Sequence, residues 1–415
     1  LTVHQRTQMD VLVLISHQDR VMDTHPALNF GDTHIAFASK SDNQLRKAYW
    51  LFRMMHSPRL VRLLTSAASI SFKLHLPVDW AIRATVFEHF CGGESIAGCE
   101  PAIEELAKYK IGTILDYSVE GKEDEKDLDA CKFEIIRTIE KARHDSRIPF
   151  SVFKVTGVIR FELLEKINSQ TRLSPTETAE WTRARERVHA ICHAAWEARQ
   201  MLFIDAEDSW IQDAIDDLVT DMQRTFNQEQ PIVFNTLQMY RHDRLSYLQK
   251  SYVQAREAGY WYAVKLVRGA YMEKERDRAA QKGYPSPIQP DKAASDRDYD
   301  AAVAFCVEHI HHMAVCSGSH NEESNLKLAA LMAENGLPTN HPLIWFAQLY
   351  GMSDHISYNL AHAGYNVAKY VPYAPIKTMM PYLIRRAQEN TSIAGQMGRE
   401  LGLLVRELDR RRNLR

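Results

Sequence analysis

The sequence predicts an α/β fold, a (β/α)8 TIM-type barrel preceded by a helical N-terminal arm. Three observations predict it. From residue 111 onward, eight short apolar runs alternate with amphipathic helical segments, which is βα patterning. The eight units occupy roughly 280 residues, against a usual barrel length of about 250. Neither GxGxxG nor GxxxxGK[ST] occurs in the chain, whereas an open doubly wound sheet would usually carry such a turn after its first strand.

The elements follow in order. Residues 1–42 show no sustained pattern before about His34 and are read as an extension that is in part loosely ordered. Residues 43–110 form the helical arm, where Leu45, Ala48, Tyr49, Leu51, Phe52 and Met55 recur at helical period. Ala84, Val86, Phe87 and Phe90 resume it after a break at Pro77, and Cys91-Gly92-Gly93 closes it with residues that tolerate positive φ. The barrel, residues 111–395, has candidate strands Thr113–Tyr117, Phe150–Val155, Met201–Asp205, Ile232–Thr236, Ala263–Val267, Met313–Cys316, Ile344–Ala347 and Asn366–Tyr370. Its clearest helices are Asp127–His144, Ser174–Arg199, Ser209–Phe226, Arg244–Ala258 and Ser324–Asn335. Residues 396–415 form a C-terminal amphipathic helix with Leu401, Leu404, Val405 and Leu408 on one face and Arg406 and Arg410 to Arg412 largely elsewhere. Such a helix can lie in a lipid interface, but its apolar face is short, and capping its own protein is the favoured reading.

Composition removes several function classes. A net charge of −2 gives no electrostatic footprint for a nucleic-acid partner. Six scattered cysteines without a CxxC pair suit reduced thiols of an intracellular protein. No apolar run approaches the ~20 residues of a membrane span. The N-terminus, which begins at Leu1, resembles neither a signal peptide nor a transit peptide. The acidic run from Glu120 to Asp129 is interrupted by lysines and reads as a solvated loop and helix start.

In a barrel, chemistry collects at the C-terminal ends of the strands. Those ends carry Asp116, Lys154, Asp205, Gln238, Lys265 with Arg268, Ser319-His320-Asn321, Gln348 with Leu349, and Tyr370. Among them and on the last barrel helix, Lys154, Lys265, Arg268, Arg385 and Arg386 outnumber the carboxylates, which suits an anionic substrate with an anionic cofactor. On that helix Tyr382, Arg385, Arg386 and Glu389 fall at i, i+3, i+4 and i+7 and share one face. Glu389 can satisfy one guanidinium, leaving a forked donor free to grip a carboxylate, with Tyr382 as a flat wall. No metal site is predicted: His309, His311, His312, Cys316 and His320 match no tetrahedral spacing, and alternation along a strand separates them. His189 and His193 lack the Glu of HExxH and read as packing residues.

These segments also carry a family resemblance. Asp116-Tyr-Ser-Val-Glu120, Phe153-Lys154, Ile204-Asp205-Ala-Glu207, Gln238-Met-Tyr240, Lys265-Leu-Val-Arg-Gly-Ala-Tyr271, Ser319-His-Asn321, Leu349-Tyr-Gly-Met352, Tyr370-Val-Pro-Tyr and Tyr382-Leu-Ile-Arg-Arg-Ala-Gln-Glu-Asn390 resemble, in order, the motif series of proline dehydrogenase. The length resembles the monofunctional form of that family. The resemblance implies FAD across the barrel mouth, oxidation of L-proline to Δ1-pyrroline-5-carboxylate as the first step of proline catabolism, and electrons passed to a membrane quinone. A peripheral membrane contact would follow, in the bacterial cytoplasm or at the inner membrane. A mitochondrial location would require that a transit peptide had been removed.

Carried over by motif, Lys154, Asp205, Arg385 and Arg386 would be the catalytic set, with Lys154 and the two arginines on the substrate carboxylate. Tyr271, Leu349, Tyr370 and Tyr382 would enclose the pyrrolidine ring. Gln238, Lys265, Arg268, Ser319, His320 and Asn321 would touch the flavin or its phosphates. Asp205, Glu389 and Glu120 would orient the cations, with Glu120 as part of a gate. No residue is assigned as the base for the substrate amine.

Two positions depart from the family pattern. Lys265 stands where many members have Arg, so a fork becomes a point charge. Ala374 stands where Gly is usual and would be strained if the position required positive φ. Hydroxyproline is the alternative substrate, although the Tyr370 ring would crowd a 4-hydroxyl. A barrel aldolase using Lys154 or Lys265 as a Schiff base is the alternative enzyme class.

Overall fold

A computed structural model describes residues 27–55, 57, 79–119, 121–392 and 394–414. The break at Pro77, most of the N-terminal extension and Glu120 lie outside the described residues.

Eight parallel strands close into a barrel in sequence order. They are β1 Ile111–Tyr117, β2 Phe150–Lys154, β3 Met201–Asp205, β4 Val233–Gln238, β5 Tyr262–Val267, β6 Met313–Gly318, β7 Ile344–Leu349 and β8 Val367–Tyr373. The barrel closes along the full length of β1, from Ile111 opposite Val367 to Tyr117 opposite Tyr373. Each expected strand is present; β4, β6, β7 and β8 run two or three residues further toward the C-terminal rim than the apolar runs suggest, and β2 stops at Lys154, one residue earlier. The added residues mix polar and apolar types (Gln238, Ser317, Gly318, Gln348, Leu349, Pro372 and Tyr373 among them), so the clean apolar run ends before the ladder hydrogen bonding does.

Side chains alternate between the interior and the surrounding helices. Ile114, Phe150, Val152, Phe203, Phe234, Ala263, Ala314, Cys316, Ala347, Ala368 and Tyr370 fill the interior. Phe150 and Phe203 stack with centroids 4.3 Å apart, and Phe234 meets Phe150 edge-on at 5.6 Å. These large rings plug the barrel, while Ala263, Ala314, Ala347 and Ala368 opposite them leave the space they need. Removal of one buried ring would cost about 3–5 kcal/mol. The polar interior residues therefore sit above a closed floor rather than in a pore.

The helix Ser209–Phe226 and the helix Arg244–Ala258 match their expected spans, and Pro175–Ala198 begins with a Ser174–Glu177 capping box. Additional helices, Phe161–Asn168, Met272–Lys282, Lys292–Glu308 and Asp354–His362, lie in segments whose sequence gave weaker periodicity. The last barrel helix, Ile376–Ser392, tolerates Pro381 inside it. Its Ile376, Met379, Tyr382 and Leu383 join Phe52, Met55, Phe87, Met352, Leu403 and Leu404 in a separate apolar cluster. That cluster fastens the N-terminal arm and the C-terminal helix to the rim.

Two expectations about backbone conformation are corrected. Among the described residues, the non-glycine positions with positive φ are Lys110, Gln170, Arg199 and Ser353; Ala374 is not one of them, so its methyl group is unstrained and buried. Gly92 and Gly93 also lack positive φ. They are glycines because of close approach: a Cβ on Gly92 would meet Val371 at 2.3 Å, and one on Gly93 would meet the Gly98 backbone at 2.6 Å.

The C-terminal helix, Ala394–Asn413, turns Leu403, Leu404 and Glu407 inward and leaves Val405 exposed. Arg411 donates to the carbonyls of Phe37 and Lys40 and to Asp42, so this basic residue clamps the N-terminal arm. Leu404, with Leu401 and Leu408 at its edge, packs on the protein's own core as the capping reading expected, but Val405 is a correction: it faces outward, and Leu403 takes the buried place.

Candidate active site

The period-two alternation that fills the barrel also places Asp116, Lys154, Asp205, Gln238, Lys265, Leu349 and Tyr370 on inward positions toward the rim. Gln348 is a correction. It faces the helical layer, donating to the Ser319 carbonyl at 3.0 Å and accepting from Ser357 at 2.8 Å.

The centre of the mouth is a charge cluster. Asp205 accepts from Lys154 at 3.2 Å through one oxygen and from Lys265 through the other. Lys265 also hydrogen-bonds the Tyr370 hydroxyl and lies 4.5 Å from that ring's centroid and 5.0 Å from that of Phe203. The Phe203 and Tyr370 rings are parallel within 15° at 6.2 Å. Burial would push the Asp205 carboxyl up, but Lys265 and Lys154 outweigh it and hold the group below the usual range. Two ammoniums around one carboxylate leave a net charge of +1 at the base of the mouth. Burial raises Tyr370 well above an ordinary phenol, and the adjacent Asp205 adds to this, so it stays neutral.

The end of β5 carries the second group. Gly269, at φ +130, allows the Arg268–Tyr271 turn to lie on Tyr240, whose ring would be 2.3 Å from any Cβ there. The Tyr240 amide also donates to the Arg268 carbonyl at 2.8 Å, so the β4 and β5 motifs are one unit. Arg268 is held by Asp296 at 2.8 Å and by Ser319 and Ser324, each at 2.9 Å, with its guanidinium 4.4 Å from the Tyr299 ring. Tyr271 is half-buried at the start of Met272–Lys282.

On β4, Gln238 donates to the Glu207 carbonyl at 2.6 Å. After β6, Ser319 accepts from the Asn321 amide at 3.1 Å, and the Asn321 side chain caps Glu322–Glu334 by accepting from Ser324 at 3.1 Å. His320 meets the Ser353 hydroxyl through Nδ1 at 2.9 Å. Burial, with Lys369, Arg386 and His355 nearby, pushes its imidazole down to about 3, so it is neutral.

Over the rim, Tyr382 and Arg386 share a helix face as their i, i+4 spacing requires, with the guanidinium 5.3 Å from the ring centroid. Both are buried, and Arg385 is half-buried beside them. The Glu389 side chain and Glu120 lie outside the described residues.

Sequence reading missed a second set of residues beside the mouth. Lys369 points outward from β8 and is fully buried. It donates to the Leu349 carbonyl at 3.3 Å, the Met352 carbonyl at 2.7 Å and Asp354 at 2.6 Å. A lone lysine inside the apolar run of β8 was the available signal, because a buried ammonium requires a carboxylate and full hydrogen bonding. Among the described residues there is no cluster of three or more metal-ligating side chains. Cys316 faces the barrel interior, while His309 packs against Tyr252 at 4.5 Å. His189 and His193 pack against Phe226 at 5.2 and 6.2 Å.

A family model described as proline dehydrogenase matches residues 99–399. The hydroxyproline dehydrogenase of Xenopus laevis is 31% identical over 93% of this chain and 90% of its own length. The mitochondrial proline dehydrogenase 1 of Homo sapiens is 40% identical over 64% of this chain, which spans only 45% of that protein. Among solved structures, proline utilization A from Bdellovibrio bacteriovorus aligns with a TM-score of 0.67 at 19% identity. That alignment covers 91% of this chain and 41% of the larger protein, and at this identity it speaks to fold alone.

Proposed function

The chain belongs to the proline dehydrogenase family, and from that premise we propose that it is an FAD-dependent enzyme oxidising L-proline to Δ1-pyrroline-5-carboxylate. The observation that carries this reading is the Lys154–Asp205–Lys265–Tyr370 cluster on the barrel floor, with the Tyr382–Arg386 helix face above it.

The residues present fit a flavin dinucleotide. Gln238, Lys265, Arg268, Ser319, His320 and Asn321 offer amide, ammonium, guanidinium, hydroxyl and imidazole groups along the ends of β4 to β6, and such a donor set suits a pyrophosphate and a flavin that becomes anionic on reduction. Arg268 supports this most directly, because three partners hold its guanidinium in place before any ligand binds. When bound, FAD would supply the two-electron acceptor.

The protein's own residues would position the substrate. Arg386, Arg385 and Lys154 would take its carboxylate, and the +1 floor would draw that anion in. The Tyr370 ring, pinned through its hydroxyl, would form a wall that cannot swing aside, with Leu349, Tyr271 and Tyr382 completing the pocket. This confinement presents the ring C–H next to the amine, on the side away from Cα, and so lowers the entropic barrier. Asp205 is a poor base, since two lysines hold it ionised.

Lys154 and Lys265 both bond Asp205, which engages their nitrogens and disfavours a Schiff-base role. The fixed Tyr370 ring favours proline over its 4-hydroxyl derivative. We assign a membrane quinone as electron acceptor; no helix among the described residues is long and apolar enough to cross a membrane. Initial rates with an artificial electron acceptor test the substrate. A preference for L-proline over trans-4-hydroxy-L-proline is expected, and the reverse preference would replace this reading with a hydroxyproline dehydrogenase.

A further inference from the structure

Ser353 breaks a local rule. It occupies the N-cap of Asp354–His362, where a serine normally adopts extended backbone and caps the first turn with its hydroxyl. Here its backbone is left-handed, at φ 50, and its side chain makes no capping bond. The hydroxyl is turned instead to His320 Nδ1 at 2.9 Å. A left-handed serine is costly without a compensating constraint, and residues of this kind concentrate at functional sites.

The compensating constraint comes from far away in the chain. Glu400, buried on the C-terminal helix, accepts the Ser353 backbone N–H at 2.9 Å. On either side of that amide, Lys369 grips the Met352 carbonyl at 2.7 Å and the Asp354 carboxylate at 2.6 Å. Ser353 is thus fixed by its backbone from the C-terminal helix and by its neighbours from β8.

We propose that Glu400 and Ser353 are positioning residues, through which the C-terminal helix sets the orientation of His320 toward the flavin. The proposal rests on the reading that His320 faces that cofactor. A buried glutamate serving only to satisfy one backbone amide would leave no reason for the serine hydroxyl to abandon its cap for the imidazole.

The test uses the full chain, with FAD affinity of the apoprotein measured by fluorescence and kcat and KM measured on the reconstituted enzyme. Glu400→Gln keeps an acceptor oxygen and should stay within about threefold of the parent. Glu400→Leu and Ser353→Ala should each weaken FAD binding by about tenfold or more and shift the bound flavin's absorption band, chiefly lowering kcat. The double variant should be no worse than the poorer single one, because the two act in series. If Glu400→Leu melts earlier but binds FAD normally and keeps the parental flavin spectrum, Glu400 is structural only and the proposal is overturned. His320→Ala separates the two layers. Impaired FAD binding there, with Glu400→Leu and Ser353→Ala silent, would reject the relay alone. A silent His320→Ala would reject the cofactor-side reading and the relay with it.

Discussion

Lys154 and Asp205 are register partners on β2 and β3, and their side chains meet at 3.2 Å inside the barrel mouth. Adjacent inward positions on neighbouring strands make this pair unavoidable once the barrel closes, and Lys265 arrives two strands on to share the same carboxylate. Asp205→Asn should therefore leave two ammoniums facing each other in a buried site. An unfolding free energy lower by about 3 kcal/mol is expected from chemical denaturation, together with at least a tenfold loss of kcat/KM. A variant as stable as the parent would mean that the lysines are not held by this carboxylate.

Glu400 should make the protein lose stability as pH rises from about 4 to about 7. Burial, with Asp354 adding to it against His355 and Lys369, raises its carboxyl to about 7. An unfolded glutamate titrates near 4.3, so the folded state binds more protons between these values, and stability contributed by the protonated form is lost as pH rises through about 7. Glu400→Gln cannot ionise. Relative to the parent it should gain about 1–2 kcal/mol between pH 5.5 and pH 8, read from urea midpoints at the two pH values. Parallel midpoints for the two proteins would contradict the burial of an ionisable Glu400.

Lys369→Met should destabilise the chain by about 3–5 kcal/mol, because among the described residues it leaves buried Asp354 with Lys40, 3.5 Å away, as its one remaining counter-ion. It also frees the Leu349 and Met352 carbonyls, so KM should rise more than kcat falls. Guanidinium denaturation and steady-state kinetics check the two effects separately.

The barrel was legible because its information is local and periodic. Apolar runs located every strand, and the alternation along them brought Lys154, Asp205, Lys265 and Tyr370 together. What escaped is long-range and outward-facing. Lys369, Ser353 and Glu400 meet across β8, the loop after β7 and the C-terminal helix, and no short motif joins residues so far apart in the chain. Gln348 was misplaced for the converse reason: it belongs to a polar strand end, but parity turns it outward. Gly92 answers to Val371, distant in sequence, and Gly93 to the nearby Gly98 backbone across the following turn, so close approach and not positive φ explains both glycines.

Arg386→Met should raise KM for L-proline by roughly one to three orders of magnitude, since a charge-assisted bond is worth roughly 1.5–3 kcal/mol and the substrate carboxylate would be left partly unpaired in a buried site. Bound flavin should be retained, as judged by its absorbance after gel filtration. Unchanged KM in both Arg385→Met and Arg386→Met would remove the guanidinium pair from the substrate site.

The most direct measurement is the absorption spectrum of the purified, FAD-reconstituted protein, recorded anaerobically before and after addition of L-proline. The expected result is an oxidised flavin spectrum whose visible bands bleach when L-proline is added. A protein that takes up no flavin, or one whose bound flavin stays oxidised in saturating L-proline, would contradict the assignment of this barrel mouth as a proline-oxidising flavin site.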